Sequence, residues 1–121
     1  MDVFSGKRES SMTVHDELGA ALRELEATMK ANHLWRMERP PEHAFTSQQP
    51  FCIDTMALPQ WLRFVFIVRL ESLVQAQATM PAKCDVTPAV EACLIQEGAS
   101  STQQLLMRQA VERVDRLVTE N

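Results

Sequence analysis

The side chains able to do chemistry are few and scattered. His43, Cys52 and Asp54 fall in one short stretch, the three groups that a cysteine nucleophile with its base and orienting acid requires. Against that reading, Cys52 stands between Phe51 and Ile53, a setting that suits a buried, inert thiol. Asp54-Thr55 comes just before an expected helix, where turn-making or capping is the ordinary job of such residues. The remaining histidines, His15 and His33, and the remaining cysteines, Cys84 and Cys93, show no metal-ligand spacing, so no metal is expected. Nor is a cofactor expected: with 3 glycines in the chain there is no Gly-rich phosphate loop. An odd set of 3 cysteines without a C-x-x-C pair argues against a disulfide framework and for a reducing, cytoplasmic setting.

The cations give an equally sparse picture. Trp35-Arg36 beside Arg39, and Trp61 near Arg63, are the aromatic–basic pairs, and Glu38 and Glu42 dilute the first. The net charge is −4, and no basic tail or arm is present. Direct binding to nucleic acid is therefore not expected, since it needs clustered phosphate-neutralising cations. A composite surface shared with a partner stays open.

These residues must be held by helices. The chain of 121 residues suits one domain, and 45% of it is apolar, enough for a core. Thr13 with Asp16 reads as a capping box, and Val14, Leu18, Leu22, Leu25 and Met29 then form one stripe. That spacing predicts a first helix ending near Asn32. Pro59 suits a first helical turn, and the apolar run from Trp61 to Val74 predicts a second helix to about Ala78. Its apolar residues cover most of the circumference, so it is expected to be the central helix. Arg63 and Arg69 interrupt it, each expected to reach a rim or a carboxylate. Thr87-Pro88 reads as N-cap and first position of a short third helix stopped at Gly98. Ser101 with Gln104 reads as the capping box of the last helix, with a stripe of Leu106, Ala110, Val114 and Leu117 broadened by Met107, Val111 and Val118. Arg108, Glu112, Arg113, Asp115 and Arg116 are its expected polar side.

Between the first two helices, periodicity stops from His33 to Leu58. The segment holds Pro40, Pro41 and Pro50 together with Trp35, Phe45, Phe51, Ile53 and Met56. Disordered segments avoid large apolar groups, so this is expected to be an ordered loop that lays aromatic anchors on the bundle. Covering a core end is the plain explanation; a binding site is the other. Residues 1–12 read as a flexible N-terminal extension lacking the apolar core of a secretory signal, and 13–121 as the domain. The run 61–74 is too short and too charged to span a bilayer. The expected fold is thus all-α, a four-helix bundle-like single domain with a long ordered loop between the first two helices.

The string His33-Leu34-Trp35-Arg36, Pro40, Phe45, Ser47, Gln49-Pro50-Phe51, Asp54-Thr55-Met56, Trp61-Leu62, Ile67 and Arg69 resembles the YqcC family of small bacterial proteins. The spacing runs without gaps from Trp35 to Arg69, and the likeness thins after Met80. The resemblance implies a helical bundle with no known catalytic residue or cofactor. Members are commonly encoded beside a tRNA pseudouridine synthase, whose catalytic aspartate belongs to a different, mixed α/β fold. It therefore implies an accessory, non-catalytic role in tRNA modification, as an adaptor for such an enzyme. Trp35, Phe45, Phe51 and Trp61 are the expected anchors, with Pro50 in the same string. Arg36, Gln49, Asp54 and Arg69 are the expected polar contacts. The alternative is a small-molecule binder or enzyme using a pocket between loop and bundle, which converging Arg36, Asp54 and Arg69 would favour. The chain is expected to be a monomer or a homodimer.

Overall fold

The computed structural model describes residues 13–120; the expected extension at 1–12 lies outside them. Helix α1 is Val14–Ala31. Its capping box forms as expected: Asp16 N donates to Thr13 Oγ1 at 3.1 Å and Thr13 N to Asp16 Oδ2 at 3.2 Å, satisfying amides that the first turn leaves without partners. Leu18, Ala21, Leu22, Leu25 and Met29 form its buried stripe.

Helix α2 (residues 58–76) is continuous but not uniform. Leu58–Trp61 is α-helical, Leu62–Phe66 is a π turn, and Ile67–Ala76 is α-helical again. The π turn inserts a residue into the ladder. Leu62, Phe66, Ile67 and Leu70 are thereby turned toward the main core, while Val65 meets a second cluster under the loop.

Helices α3 (Thr87–Gln96) and α4 (Ser101–Thr119) complete an all-α fold with no strand among the described residues. Helix α1 packs on both α2 and α4, and α3 packs on α4. Among the described residues, no helix is long and apolar enough to cross a membrane.

Three local expectations are corrected. The central helix is α1, not α2; the broad apolar girdle of α2 is explained by the loop that covers its other side. The cap of α4 is Ser100, whose Oγ accepts from Gln103 N at 3.1 Å while Ser100 N donates to Gln103 Oε1 at 3.0 Å. Gln104 instead donates to Ala99 O at 2.9 Å. The buried stripe of α4 runs Met107, Ala110, Val111, Val114, Val118, and Leu106 is 42% exposed. This rotation also takes Asp115 off the wet face and buries it.

Candidate binding groove and its supporting loop

The segment between α1 and α2 is ordered by short-range devices that replace a helix ladder. A 3-10 turn forms at Glu42–Thr46 and another at Pro50–Cys52. Phe51 and Cys52 have φ of 59° and 49°, the left-handed region that costs about 1–2 kcal/mol for a residue with a Cβ. Side chains over-determine this bend. Ser47 Oγ donates to Asp54 Oδ1 and accepts from Gln49 N. Thr55 Oγ1 reaches Ala44 O at 2.7 Å. Met56, Cys52 and Ala44 then close on Val65 of α2 as a small second core.

The aromatic anchors all engage. Phe51 meets Trp61 edge-on, with centroids 5.0 Å apart, and Trp61 stacks on Phe66 at 5.2 Å, contacts that stabilise beyond their buried area. Phe45 packs against the second core, under Arg39 at 4.6 Å. Trp35 packs against the main core and carries Arg63, whose Cζ lies 4.5 Å from the ring centroid and whose Nη1 donates to the Trp35 carbonyl. Arg63 thus reaches an aromatic face and a backbone oxygen rather than a rim or a carboxylate. Gln60 adds a tie from α2, its Nε2 donating to Glu38 O at 3.1 Å.

The expected polar residues do not converge. Asp54 is held by Ser47. Arg36, Gln49 and Arg69 are exposed, and among the described residues neither Arg36 nor Arg69 makes an ion pair. No hydrogen bond joins His43, Cys52 and Asp54, and Cys52 is buried, so the nucleophile constellation is not assembled. Among the described residues no group of His, Cys, Asp and Glu is placed to hold a metal ion.

What the loop does build is a groove of about 750 Å³ against α3. Pro50, Phe51, Ile53 and Met56 form one wall; Ala89, Ala92, Cys93 and Leu94 of α3 form the other; Leu34 and Leu58 contribute to the lining. Gln96, Glu97 and Gln103 supply its polar edge. Burial, and secondarily the charge of Glu97, pushes the Cys93 thiol above its ordinary range, which opposes thiolate chemistry in the groove. Ile53 is 58% exposed. The α3 wall and Ile53 were missed as site residues because small and aliphatic side chains carry no chemical signal of their own.

The seam behind α3 also escaped sequence reasoning. Asp115 Oδ2 accepts from Val86 N and Thr87 N, both at 2.8 Å, and from Thr87 Oγ1 at 2.6 Å. Cys84 Sγ donates to Asp115 Oδ1 at 3.0 Å. A carboxylate from α4 therefore caps α3 from outside, and Thr87 is a buried first-turn residue rather than the N-cap. Burial, reinforced by the hydrogen bond and charge of Asp115, drives the Cys84 thiol far above its ordinary value.

The molecule is thus a small all-helical domain with an apolar groove framed by an ordered, strained loop. The sequence model of the DUF446 family, described as "tRNA pseudouridine synthase C", matches residues 17–117, and the chain belongs to that family. It is 33% identical over 110 residues to the uncharacterized protein YqcC of Escherichia coli (strain K12), covering 91% of this chain and 98% of that protein. It is 36% identical over 85 residues to an uncharacterized protein of Haemophilus influenzae, covering 70% of this chain and 78% of that one. A protein of Pectobacterium carotovorum subsp. carotovorum named tRNA pseudouridine synthase C is 30% identical over 70 residues, which are 58% of this chain and 19% of that protein. The solution NMR structure of E. coli YqcC matches with a TM-score of 0.76 at 33% identity, over 90% of this chain and 91% of that chain. The resemblance read from residues 33–69 is therefore correct at the level of family and fold.

Proposed function

We propose that this chain is a non-catalytic adaptor that holds a tRNA pseudouridine synthase, or another tRNA-modifying enzyme, through the groove between the loop and α3. The observation that carries this reading is the groove itself. It is large, apolar and open, and its walls include no assembled acid–base or nucleophilic set. Apolar clefts edged by polar residues are the usual seats of partner segments. Phe51, the first residue of the left-handed pair, lies at the groove wall, and retained backbone strain of this kind concentrates at ligand clamps.

The choice of partner draws on a relative. A segment similar to 70 residues of this chain occurs within a protein named tRNA pseudouridine synthase C. Two functions that share one polypeptide in one organism are natural partners as two chains in another. That is an associational argument, and the groove supplies the physical one.

The test is a pull-down of the tagged chain from its own cell extract, with and without ribonuclease, read by mass spectrometry. Enrichment of a pseudouridine synthase in both samples is the expected result. Loss with ribonuclease would assign the association to tRNA, and no specific partner in either would sink the adaptor reading. A small-molecule role has one observation in its favour, a groove volume within the range of ligand pockets. Arg36, Asp54 and Arg69 do not line that groove, so the polar set expected to orient such a ligand is missing from it.

A further inference from the structure

The short segment after α1 has two sides. Leu34 lines the apolar groove, whereas His33, Trp35 and Arg36, with Lys30, line a separate cavity of about 550 Å³. Its described lining contains no carboxylate. Lys30 pairs with Glu26 at 2.8 Å, but Arg36 and the neighbouring Arg63 have no ion-pair partner among the described residues. A cation in the last turn of α1 is explained by the helix dipole. That accounts for Lys30, not for His33 or Arg36 beyond it.

The backbone singles out His33. Its amide donates to Lys30 O at 3.3 Å, and Leu34 N donates to Met29 O at 2.8 Å, the paired bonds of a Schellman motif with His33 at φ 61° in the position that favours glycine. Helices α2 and α3 end the same way, at Gln77 (φ 53°) and Gly98 (φ 75°). Gly98 fits the conformation without strain. Gln77 is compensated by a bond from its own Nε2 to Val74 O at 3.0 Å. The His33 imidazole makes no hydrogen bond among the described residues. A histidine thus occupies a glycine position without local compensation, at a cavity whose described lining includes the cations Lys30 and Arg36.

We infer that Lys30, His33 and Arg36, arranged around Trp35, form an anion site that takes a phosphate group. Ammonium and guanidinium groups bind phosphate through charge-assisted hydrogen bonds. Trp35 organises the surroundings, with Lys30 Nζ 5.5 Å and Arg63 Cζ 4.5 Å from its ring centroid. Assigning the phosphate to an RNA backbone rests on the adaptor reading: an enzyme seated in the groove at Leu34 would hold its RNA beside His33 and Arg36. The net charge of −4 opposes strong RNA binding by this chain alone, so the site makes weak RNA contacts, measurable at NMR concentrations, that add to a composite surface.

The test is a titration of the isotope-labelled full chain, followed by amide NMR shifts, with inorganic phosphate and separately with unfractionated tRNA. Saturable shifts clustered at residues 33–36 are expected with phosphate. Arg36→Glu is expected to weaken them at least tenfold. His33→Gly is expected to weaken them while leaving the unfolding midpoint equal to or above that of the unsubstituted chain, because glycine accepts the positive φ. Shifts at the same amides with tRNA support the RNA source; shifts with phosphate and none with tRNA overturn that source. No saturable shift with phosphate, or an affinity in both variants equal to that of the unsubstituted chain, overturns the site. Phosphate shifts that persist when the pull-down finds no enzyme would leave the anion site standing and remove the adaptor reading alone.

Discussion

The seam between α3 and α4 and the corner after α1 both carry charged side chains, and they use them in opposite ways. At the seam, Asp115 is buried and its two oxygens accept four hydrogen bonds from Cys84, Val86 and Thr87. Thr119 closes the same site, its Oγ1 accepting from Cys84 N at 2.9 Å and donating to Cys84 O at 3.0 Å. At the corner, the side chains of Arg36 and His33 are exposed and have no ion-pair or hydrogen-bond partner among the described residues. A buried carboxylate with four hydrogen bonds holds two helices together. Exposed polar side chains without partners contribute little to the fold and are free to meet a ligand. The comparison separates what this chain needs in order to fold from what it presents.

Asp115→Ala breaks that contrast most severely. It leaves buried donors of α3 without an acceptor and removes a helix cap, so a loss of about 3 kcal/mol is expected in urea unfolding. Thr87→Val deletes one of the four bonds and keeps the shape, with an expected loss of about 1 kcal/mol by the same measurement. The pH response sharpens the seam further. The Cys84 thiol is raised far above its ordinary value of 9.0 by burial and by Asp115. The folded chain therefore retains a proton that the unfolded chain releases, so this contribution is whole below pH 9 and is lost as pH rises beyond it. Urea midpoints are expected to fall on that alkaline side, and Cys84→Ala is expected to flatten the fall. At the corner, Arg36→Glu is expected to change stability by less than about 0.5 kcal/mol while weakening phosphate binding at residues 33–36 in the NMR titration. A large loss of stability there would erase the distinction between the two regions.

Much of this architecture is legible in the sequence, and the exceptions have physical causes. Helix α1 announces itself by a capping box and one clean stripe, and Pro59 marks the entry of α2. The aromatic anchors of the loop are legible because large apolar groups in an aperiodic segment must be buried somewhere. The start of α4 is ambiguous because Ser100-x-x-Gln103 and Ser101-x-x-Gln104 offer the same capping box one residue apart. The same rotation decides whether Asp115 is wet or buried, and its donors are mainly backbone amides of α3, which no residue type reveals. The breadth of the α2 apolar face suggested a central helix because sequence cannot distinguish a helix from a loop as the covering layer. The groove is the least legible feature. Its α3 wall is made of alanines, a cysteine and a leucine, residues that read as ordinary core until the loop is seen to stop short of covering them.

The most direct test of the adaptor account is calorimetric titration of the purified chain against the tRNA pseudouridine synthase of its own cell, using two surface variants matched in chemistry. Ile53 is 58% exposed and lines the groove; Val68 is 49% exposed and does not. Ile53→Asp is expected to weaken binding at least tenfold, with Val68→Asp binding as the unsubstituted chain does. Equal affinity for the two variants would contradict the assignment of the groove as the partner's seat.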